Sequence, residues 1–451
     1  MRDQSEAGGG GRDGTRTGAP RALRVGVGRS VALVLSLLPA LLLACRAESS
    51  VPTLNWYINP DNGGQAKLAA KCAAASNGRY HILVSGLPKD ATQQREQLVR
   101  RLAAKDSSID LMSLDLPFVP EFAEAGFLRS FTAAEAEEFT AGVLKGPIQS
   151  AMWGGKLVAA PFGANTQLLW YRESVARKAS LDPAAGPVTW DQLIKAAERT
   201  GTTVEVQGNR YEGYMVWVNA LVASAGGKIL DDPEAGKDVK PALDSAAGRR
   251  AAAIIRDLGR SRAADPALTT SDEESTRAAF QGSRGGFMVN WPYVYGAAQE
   301  AVAAHALDRA VLDDIRWARY PRVDPRGASR PPLGGIDLAI GAFSKHGELA
   351  VDAVRCITSA QSQTEYMIDA KNPAARAAAY DNAEVRRIFP MADLVRDSIN
   401  DSEPRPQTPY YTDVSASVVR TFHPQAAVQP DRTPAQAARL IVDVLHDRVL
   451  L

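Results

Sequence analysis

The residues best suited to bind a ligand stand where predicted strands end. Asp115 closes the strand-like segment 108–115, Trp291 ends the segment 285–291, and Arg405 stands between two prolines. Carboxylates, amides and indole rings suit sugars, because sugar hydroxyls both donate and accept hydrogen bonds and sugar C–H faces pack against aromatic rings. The pattern therefore predicts non-covalent recognition of a polyhydroxylated ligand.

Each of these residues also has an ordinary structural interpretation. Asp115 could cap the helix that follows it, Trp291 could be a core residue, and Arg405 could be a solvated loop residue. Glu212 opens a predicted helix, where the helix dipole favours a carboxylate regardless of any ligand. The position at a strand end favours ligand contact for Asp115 and Trp291, whereas position alone leaves Arg405 and Glu212 open.

A second group of candidates is polar or permits a close approach of the backbone. Asp61 and Asn62 follow the first predicted strand, but they also resemble an Asx turn. Gln94 lies in the first turn of a polar helix and could be solvated, and Asn165 begins a segment expected to form a cleft wall. Gly335, the second of two adjacent glycines, would let the backbone approach a ligand closely. All five residues join the predicted binding site.

Catalytic and cofactor motifs are missing from the sequence. The five histidines are scattered, and there is no HExxH, CxxC, phosphate-binding loop or G-x-S-x-G motif. We therefore expect no metal and no cofactor. The chain carries 52 Lys and Arg against 51 Asp and Glu, and this near-neutral balance argues against nucleic acid as a partner.

The N-terminal residues predict export and a lipid anchor. Three arginines precede the uncharged run 31–43, which is too short to span a bilayer but matches a signal-peptide core. Segment 42–45 resembles a bacterial lipobox, in which Cys45 becomes the first mature residue and carries the lipid; an ordinary secretory signal is the alternative. We expect a signal peptide over 1–44, a tether over 45–52 and a location on the outer face of the cell membrane.

Two further cysteines, Cys72 and Cys356, remain as an even pair if the first is acylated. Two cysteines in an oxidising compartment can form a disulfide, although cysteine is also a common buried core residue. The sequence leaves both states open.

Alternating strands and helices predict an α/β protein with two lobes. Segments 53–58, 79–84 and 108–115 are predicted strands, and 63–76 and 90–106 are predicted helices, which favours a parallel sheet covered by helices. Ligands on such sheets bind beyond the carboxyl ends of the strands. Later segments leave this unit and return to it, as hinge crossings on either side of a ligand cleft would require. The expected lobes are 53–160 with 322–372, and 161–318 with 373–451.

Four segments together resemble the extracellular solute-binding proteins of ABC sugar importers, the maltose-binding group. In chain order they are DATQQREQLVRRLAAKDSSIDLMSLD, GGKLVAAPFGANTQLLWYRESV, AAFQGSRGGFMVNWPYV and PLGGIDLAI. Within that group, FAEAGFLRSF, NTQLLWYR, VNWPYV and the tail ARAAAYDNAEVRRIFPMADLVRDSINDSEPRPQTPYY are similar to the LpqY-type trehalose-binding lipoproteins of mycobacteria and related actinobacteria.

The resemblance implies a two-lobed periplasmic-binding-protein fold of the type II kind, with a central cleft sized for trehalose. Many trehalose and maltose binders place an aromatic residue directly after the double glycine; here that position is Ile336, which would supply only backbone and apolar contact. We expect a monomer that docks on transmembrane ABC permease subunits and catalyses no reaction. The residues implied to line the cleft are Gln94, Asp115, Asn165, Glu212, Trp291 and Arg405.

Two other functions stay open from the sequence. A secreted glycoside hydrolase could use Asp115 and Glu212 as its pair of carboxylates, and a receptor of the same kind could bind maltose or another oligosaccharide. The lipobox, the order of the segments and the resemblance favour a receptor for a disaccharide, with trehalose as the first choice.

Overall fold

The computed structural model describes residues 51–451. The expected signal peptide, the lipid site at Cys45 and most of the tether lie outside these residues. None of the helices in this range combines the length and the apolar composition that spanning a bilayer requires.

The strands are β1 (Thr53–Ile58), β2 (His81–Gly86), β3 (Leu111–Asp115), β4 (Met152–Trp153), β5 (Lys156–Leu157), β6 (Ala160–Thr166), β7 (Leu168–Arg172), β8 (Thr203–Glu205), β9 (Gly285–Asn290), β10 (Ile315–Ala318) and β11 (Leu333–Ile340). The α-helices are α1 (Gly64–Ala75), α2 (Ala91–Ala103), α3 (Val119–Glu124), α4 (Ala133–Thr140), α5 (Lys145–Ser150), α6 (Glu173–Lys178), α7 (Trp190–Thr200), α8 (Glu212–Ser224), α9 (Ala246–Arg260), α10 (Glu273–Gln281), α11 (Tyr293–Ala303), α12 (Arg309–Asp313), α13 (Gly347–Ile357), α14 (Ala360–Ala370), α15 (Ala383–Ile388), α16 (Ala392–Asn400), α17 (Tyr411–Phe422) and α18 (Thr433–Leu445).

Local sequence explains why the first elements form. In β1, the buried residues Leu54, Trp56 and Ile58 alternate with more exposed ones, as a strand with two different faces requires. Helix α2 begins after Asp90, whose side chain accepts a hydrogen bond from Gln93 N at 2.9 Å and so satisfies one free N–H of the first turn.

The first sheet has the strand order β2-β1-β3-β11-β6. β1 pairs in parallel with β2 and β3, whereas β11 pairs antiparallel with both β3 and β6. The parallel arrangement expected for the three strands of the first α/β unit is therefore confirmed. Of the two strands that later segments add, β11 is reversed and β6 runs in the same direction as β1, β2 and β3. Alternation of strands and helices does not encode the direction in which such later segments enter the sheet.

The second sheet has the order β10-β7-β9-β8. β7 pairs antiparallel with β10 and β9, and β8 pairs in parallel with β9. Helix α8 is apolar on nearly every side and almost wholly buried, so it forms the centre of this half rather than its surface. The mixed sheets and their helices make the α/β, two-lobed architecture that the sequence predicts.

Three chain crossings connect the two sheets. β6 of the first sheet is followed after one residue by β7 of the second. The segments before β11 and after α16 run side by side, because Leu333 N donates to Glu403 O at 3.0 Å and Glu403 N donates to Pro331 O at 2.9 Å. Helix α16 contacts α5 and β6, and α17 packs against α8. The residue limits expected for the lobes stay a prediction.

A disulfide links two helices of the first half, by which we mean the sheet β2-β1-β3-β11-β6 and the helices packed on it; the second half is the sheet β10-β7-β9-β8 with its helices. Cys72 in α1 and Cys356 in α13 are bonded, with Cα atoms 5.8 Å apart and a separation of 284 positions in the sequence. Both helices also contact strands of the first sheet. The bridge, one of the two states open from the sequence, thus links the beginning of this half to a segment that returns to it late in the chain.

Asp337 is a buried acid in the middle of the first sheet. It lies in β11, its side chain is fully buried, and its Oδ1 has no hydrogen-bond partner among the described residues. Ser150 Oγ lies 3.3 Å from Asp337 Oδ2 but only 3.0 Å from Pro147 O. The bond from Ser150 Oγ to Asp337 Oδ2 is therefore long, and it opposes only weakly the effect of burial on the acid. Burial, aided by the charge of Asp115, raises the pKa of Asp337 well above its usual value.

We predict that Asp337→Asn leaves the free energy of unfolding nearly unchanged in acid. At higher pH the variant should be more stable than the unsubstituted protein. Asp337 has a pKa of about 4 in the unfolded chain and a raised pKa in the folded protein. At pH values between the two, only the unfolded state loses this proton. The free energy of unfolding of the unsubstituted protein therefore falls as pH rises, by about 1.4 kcal/mol per pH unit. Urea unfolding of both proteins from pH 4 to pH 9 measures the divergence. Parallel pH profiles for the two proteins would contradict a neutral Asp337.

Candidate functional site

A cavity of about 420 Å³ lies between the two sheets, and residues from both halves line it. Its volume falls in the range of small-molecule sites in proteins. The first half contributes the carboxyl end of β3, the start of α2 and the glycines of β11; the second half contributes the starts of α8 and α10 and the residues after β9. Eight residues predicted from the sequence line it: Gln94, Asp115, Asn165, Glu212, Trp291, Gly335, Ile336 and Arg405.

Asp61 and Asn62 do not line this cavity. The carboxylate of Asp61 accepts hydrogen bonds from Gly63 N at 3.0 Å and Gln65 N at 2.8 Å. It is therefore engaged at the beginning of α1, in the Asx turn that was the alternative from the sequence. Asn59, two residues earlier, is the polar residue of this loop that reaches the cavity lining.

Arg405 lies at the base of the cleft between two carboxylates. Its side chain is 3% exposed, and its Nη2 donates to Asp115 Oδ1 at 2.7 Å while Nη1 donates to Asp115 Oδ2 at 3.2 Å. Nη1 also donates to Glu212 Oε1 at 2.8 Å. Burial alone would lower the pKa of Arg405, but the charges of Asp115 and Glu212 raise it well above its usual value. One cation thus joins a carboxylate of the first half to a carboxylate of the second.

Glu212 is held by three donors. Besides Arg405, Tyr411 Oη donates to Glu212 Oε1 and Ser415 Oγ donates to Glu212 Oε2 at 2.7 Å. Burial raises the pKa of Glu212, and the charge of Arg405 opposes that rise. Both carboxylate oxygens accept hydrogen bonds, which is the pattern of the ionised form. Glu212 is therefore fixed at the start of α8 by contacts more specific than the helix dipole.

Arg405 retains one group without a partner. Its Nε is buried and has no hydrogen-bond acceptor among the described residues. A buried unpaired N–H costs about 1–3 kcal/mol, so an acceptor on a bound molecule would satisfy it. The neighbouring backbone is fixed, because Asn219 Nδ2 donates to Pro404 O at 3.1 Å and Gln407 Nε2 donates to Arg405 O at 3.1 Å.

Trp291 is a half-buried indole that reaches from the second half toward β11. A Cβ atom at Gly334 would lie 2.7 Å from the ring atoms Cη2 and Cζ3 of Trp291. Only glycine leaves room for this contact. The next residue, Gly335, has a φ of 139° and faces Gly163 O, so it too must lack a side chain. The double glycine therefore leaves room for the indole of Trp291 and lets β11 approach β6 closely.

Several lining residues were not predicted from the sequence. The most notable are Tyr211, Glu273, Glu274 and Tyr293. Tyr293 lies two positions after Trp291, so the segment VNWPYV contained a usable signal. Glu273 and Glu274 begin α10, where acids are common for helix-dipole reasons alone, so their sequence positions carried no distinctive signal.

The donor set of the cavity suits hydrogen bonding rather than metal binding. Among residues 51–451, no cluster of three or more His, Cys, Asp or Glu side chains is arranged to hold a metal ion. The lining combines carboxylates, amides, one guanidinium and aromatic rings. Such a surface can surround a molecule rich in hydroxyl groups and pack against its C–H faces.

The chain matches a family model described as bacterial extracellular solute-binding protein over residues 67–388, more than half of its length. A probable ABC transporter-binding protein of Deinococcus radiodurans is 28% identical over 392 residues, which cover 84% of this chain and 89% of the relative.

Solved structures share the architecture over most of the chain. Maltose-bound MalE3 of T. maritima is 25% identical with a TM-score of 0.75, and the match covers 88% of this chain and all of that one. An ABC transporter solute-binding protein of Agrobacterium radiobacter K84, in complex with ribitol, is 20% identical with a TM-score of 0.73, covering 87% of this chain and 98% of that one.

We predict that Arg405→Met destabilises the protein by about 3–5 kcal/mol, since it leaves two buried carboxylates without their shared cation. The pKa of Glu212, already raised by burial, should rise further once the opposing charge is gone. A raised folded pKa stabilises in acid and destabilises as pH rises, so the variant should recover stability as pH falls. Chemical denaturation between pH 4 and pH 8 measures both effects.

The matched control is Arg177→Met, which removes an exposed arginine from an i,i+4 pair with Glu173 and should cost less than about 0.5 kcal/mol. Adding Asp115→Asn and Glu212→Gln to Arg405→Met should restore much of the lost stability. An Arg405→Met variant no less stable than the control would refute a structural role for the shared guanidinium.

Proposed function

The chain belongs to the bacterial extracellular solute-binding proteins, and from that premise we propose that it captures a disaccharide, trehalose, for an ABC importer. As a member of this family it is an extracellular substrate-binding protein of an ABC transporter for sugars or polyols. The identity of the sugar, the residues that contact it and the lipid anchor form the finer part of the proposal.

The observation that carries the proposal is one cavity lined by Asp115 of the first half and Glu212 of the second, both bonded to Arg405. A molecule enclosed there contacts both halves at once, so binding energy can be used to hold them together. A cavity of about 420 Å³ is small enough to favour a sugar of a few rings over a long polysaccharide chain.

The chemistry of the lining supports a sugar. Asp115 and Asn165 offer acceptors, Gln94 offers an amide, and Trp291 offers a ring face. Hydroxyl groups pair with both kinds of partner, and apolar sugar faces pack on an indole. Ile336 occupies the position after the double glycine and lines the cavity, so the first half presents an aliphatic contact there.

We also propose that a lipid on Cys45 holds the protein at the outer face of the membrane. The anchor would keep the receptor near the transmembrane permease subunits, to which it would deliver the intact sugar. Cys45 lies outside the described residues, and its support is the lipobox-like sequence around it.

A glycoside hydrolase is the less favoured alternative. Such enzymes use a carboxylic acid that gives its proton to the leaving group. Both oxygens of Asp115 and both oxygens of Glu212 accept hydrogen bonds from Arg405, Tyr411 or Ser415, so neither is free to serve as that acid. The family and its structural relatives are also transport receptors.

We predict that calorimetric titration of the purified exported chain gives saturable one-to-one binding of trehalose. Maltose and sucrose should bind at least about tenfold more weakly, a difference of about 1.4 kcal/mol. Chromatography of the released ligand should return intact sugar, because no bond is cleaved. Tighter binding of maltose would overturn the choice of trehalose, and release of glucose would favour the hydrolase.

A second prediction concerns the glycine beneath the indole. Gly334→Ala places a methyl group 2.7 Å from Trp291, which should displace the ring and weaken trehalose binding by at least about tenfold, as loss of a stacking contact would. Gly86→Ala is the matched control, because this glycine lies in β2 of the same sheet and its Cβ meets nothing within 4 Å. Equal affinity in the two variants would argue against ligand contact by Trp291.

A further inference from the structure

The charged residues that line the cavity are not balanced. Five are acidic and only two are basic: Asp90, Asp115, Glu212, Glu273 and Glu274 against Lys89 and Arg405. A cavity partly shielded from water magnifies such an imbalance, since water screens the charges less there than at the surface. The charge of a bound molecule is therefore a property that this cavity can select.

Most of these acids already have a partner. Asp115 and Glu212 share Arg405. Glu274 Oε2 accepts from Arg277 Nη2 at 2.7 Å. Asp90 accepts from the first turn of α2 and lies beside the exposed Lys89. Each of these four carboxylates therefore has a cation or a hydrogen-bond donor beside it, although Asp115 and Glu212 share a single positive charge.

Glu273 differs from the other four. Tyr211 Oη donates to Glu273 Oε2 at 2.7 Å, and no basic side chain pairs with Glu273 within the part of the chain that the structure describes. Burial raises the pKa of Glu273, and hydrogen bonds from Tyr211 and the Trp291 indole oppose that rise. Its backbone is fixed because Asn290 Nδ2 donates to Glu273 O at 3.0 Å. The carboxylate is thus held in place without a basic side chain to balance its charge.

The surroundings of Glu273 are aromatic. Tyr211, Trp291 and Tyr293 line the same cavity. Aromatic faces attract cations, and a desolvated carboxylate does so more strongly. A carboxylate without a basic partner beside aromatic rings is a suitable environment for an ammonium group.

We propose that Glu273 determines the charge selectivity of the cleft, so that the site takes an aminated sugar in preference to the neutral one and rejects an anionic one. This inference rests on the proposed function and narrows its ligand class to neutral and basic sugars. An ammonium group replaces a hydroxyl next to Glu273 and gains an ion pair, whereas a phosphate or carboxylate group meets an excess of like charge.

The experiment compares three ligand types by calorimetric titration at one pH and one ionic strength. The ligands are trehalose, its mono-amino derivatives at the 2, 4 and 6 positions, and trehalose 6-phosphate. In the unsubstituted chain at least one amino derivative should bind about tenfold or more tighter than trehalose, and the phosphate should bind about tenfold or more weaker. In Glu273→Gln the advantage of that amino derivative should disappear, while trehalose itself still binds.

Glu274→Gln is the matched control, because it removes the same formal charge one residue away from a carboxylate already paired with Arg277. It should keep most of the preference for the amino derivative. No amino derivative binding tighter than trehalose, or equal loss of the preference in both variants, would overturn the role of Glu273 and leave the proposed function standing. Failure of trehalose and of every derivative to bind the unsubstituted chain would instead refute the proposed function.

Discussion

A buried guanidinium shared by two carboxylates fixes how the two halves of this protein meet. Arg405 contacts Asp115 at the end of β3 and Glu212 at the start of α8. Removing three charged groups from water is costly, and the mutual attraction repays that cost only when the geometry is good. The prolines on either side of Arg405 and the extra donors to Glu212 supply that geometry. The contacts of Arg405 with Asp115 and Glu212 position the two sides of one cleft, in addition to any contribution to stability.

The cleft is completed by contacts that require very small residues. Trp291 approaches β11 over Gly334, and Gly335 passes close to β6 with a backbone conformation that disfavours other residues. An indole contributed by one half is thereby placed against a strand of the other. Aromatic and ionic contacts between the halves lie around the same cavity, so a ligand held there touches most of the groups that join them.

The sequence indicates where helices and strands lie better than it indicates which elements and side chains they contact. The double glycine located the start of β11, because this signal is local. The parallel direction of β1, β2 and β3 was predicted correctly, whereas the reversed direction of β11 was not predicted, since it depends on crossings far away in the chain. Asp61 was expected at the ligand but is used by α1, and Glu273 was missed because acids at a helix start are ordinary. Arg405 was expected to contact ligand, but its pairing with residues 290 and 193 positions distant could not be read from spacing.

The disulfide between Cys72 and Cys356 has a mechanical consequence. Both cysteines belong to helices that pack on the first sheet, so the covalent link lies entirely on one side of the crossings. It limits internal loosening of that half without tethering it to the other. Rigid-body rotation about the crossings therefore leaves the disulfide undisturbed. Oxidation of the two cysteines stabilises the first half and still permits the hinge motion by which a ligand would bind and be released.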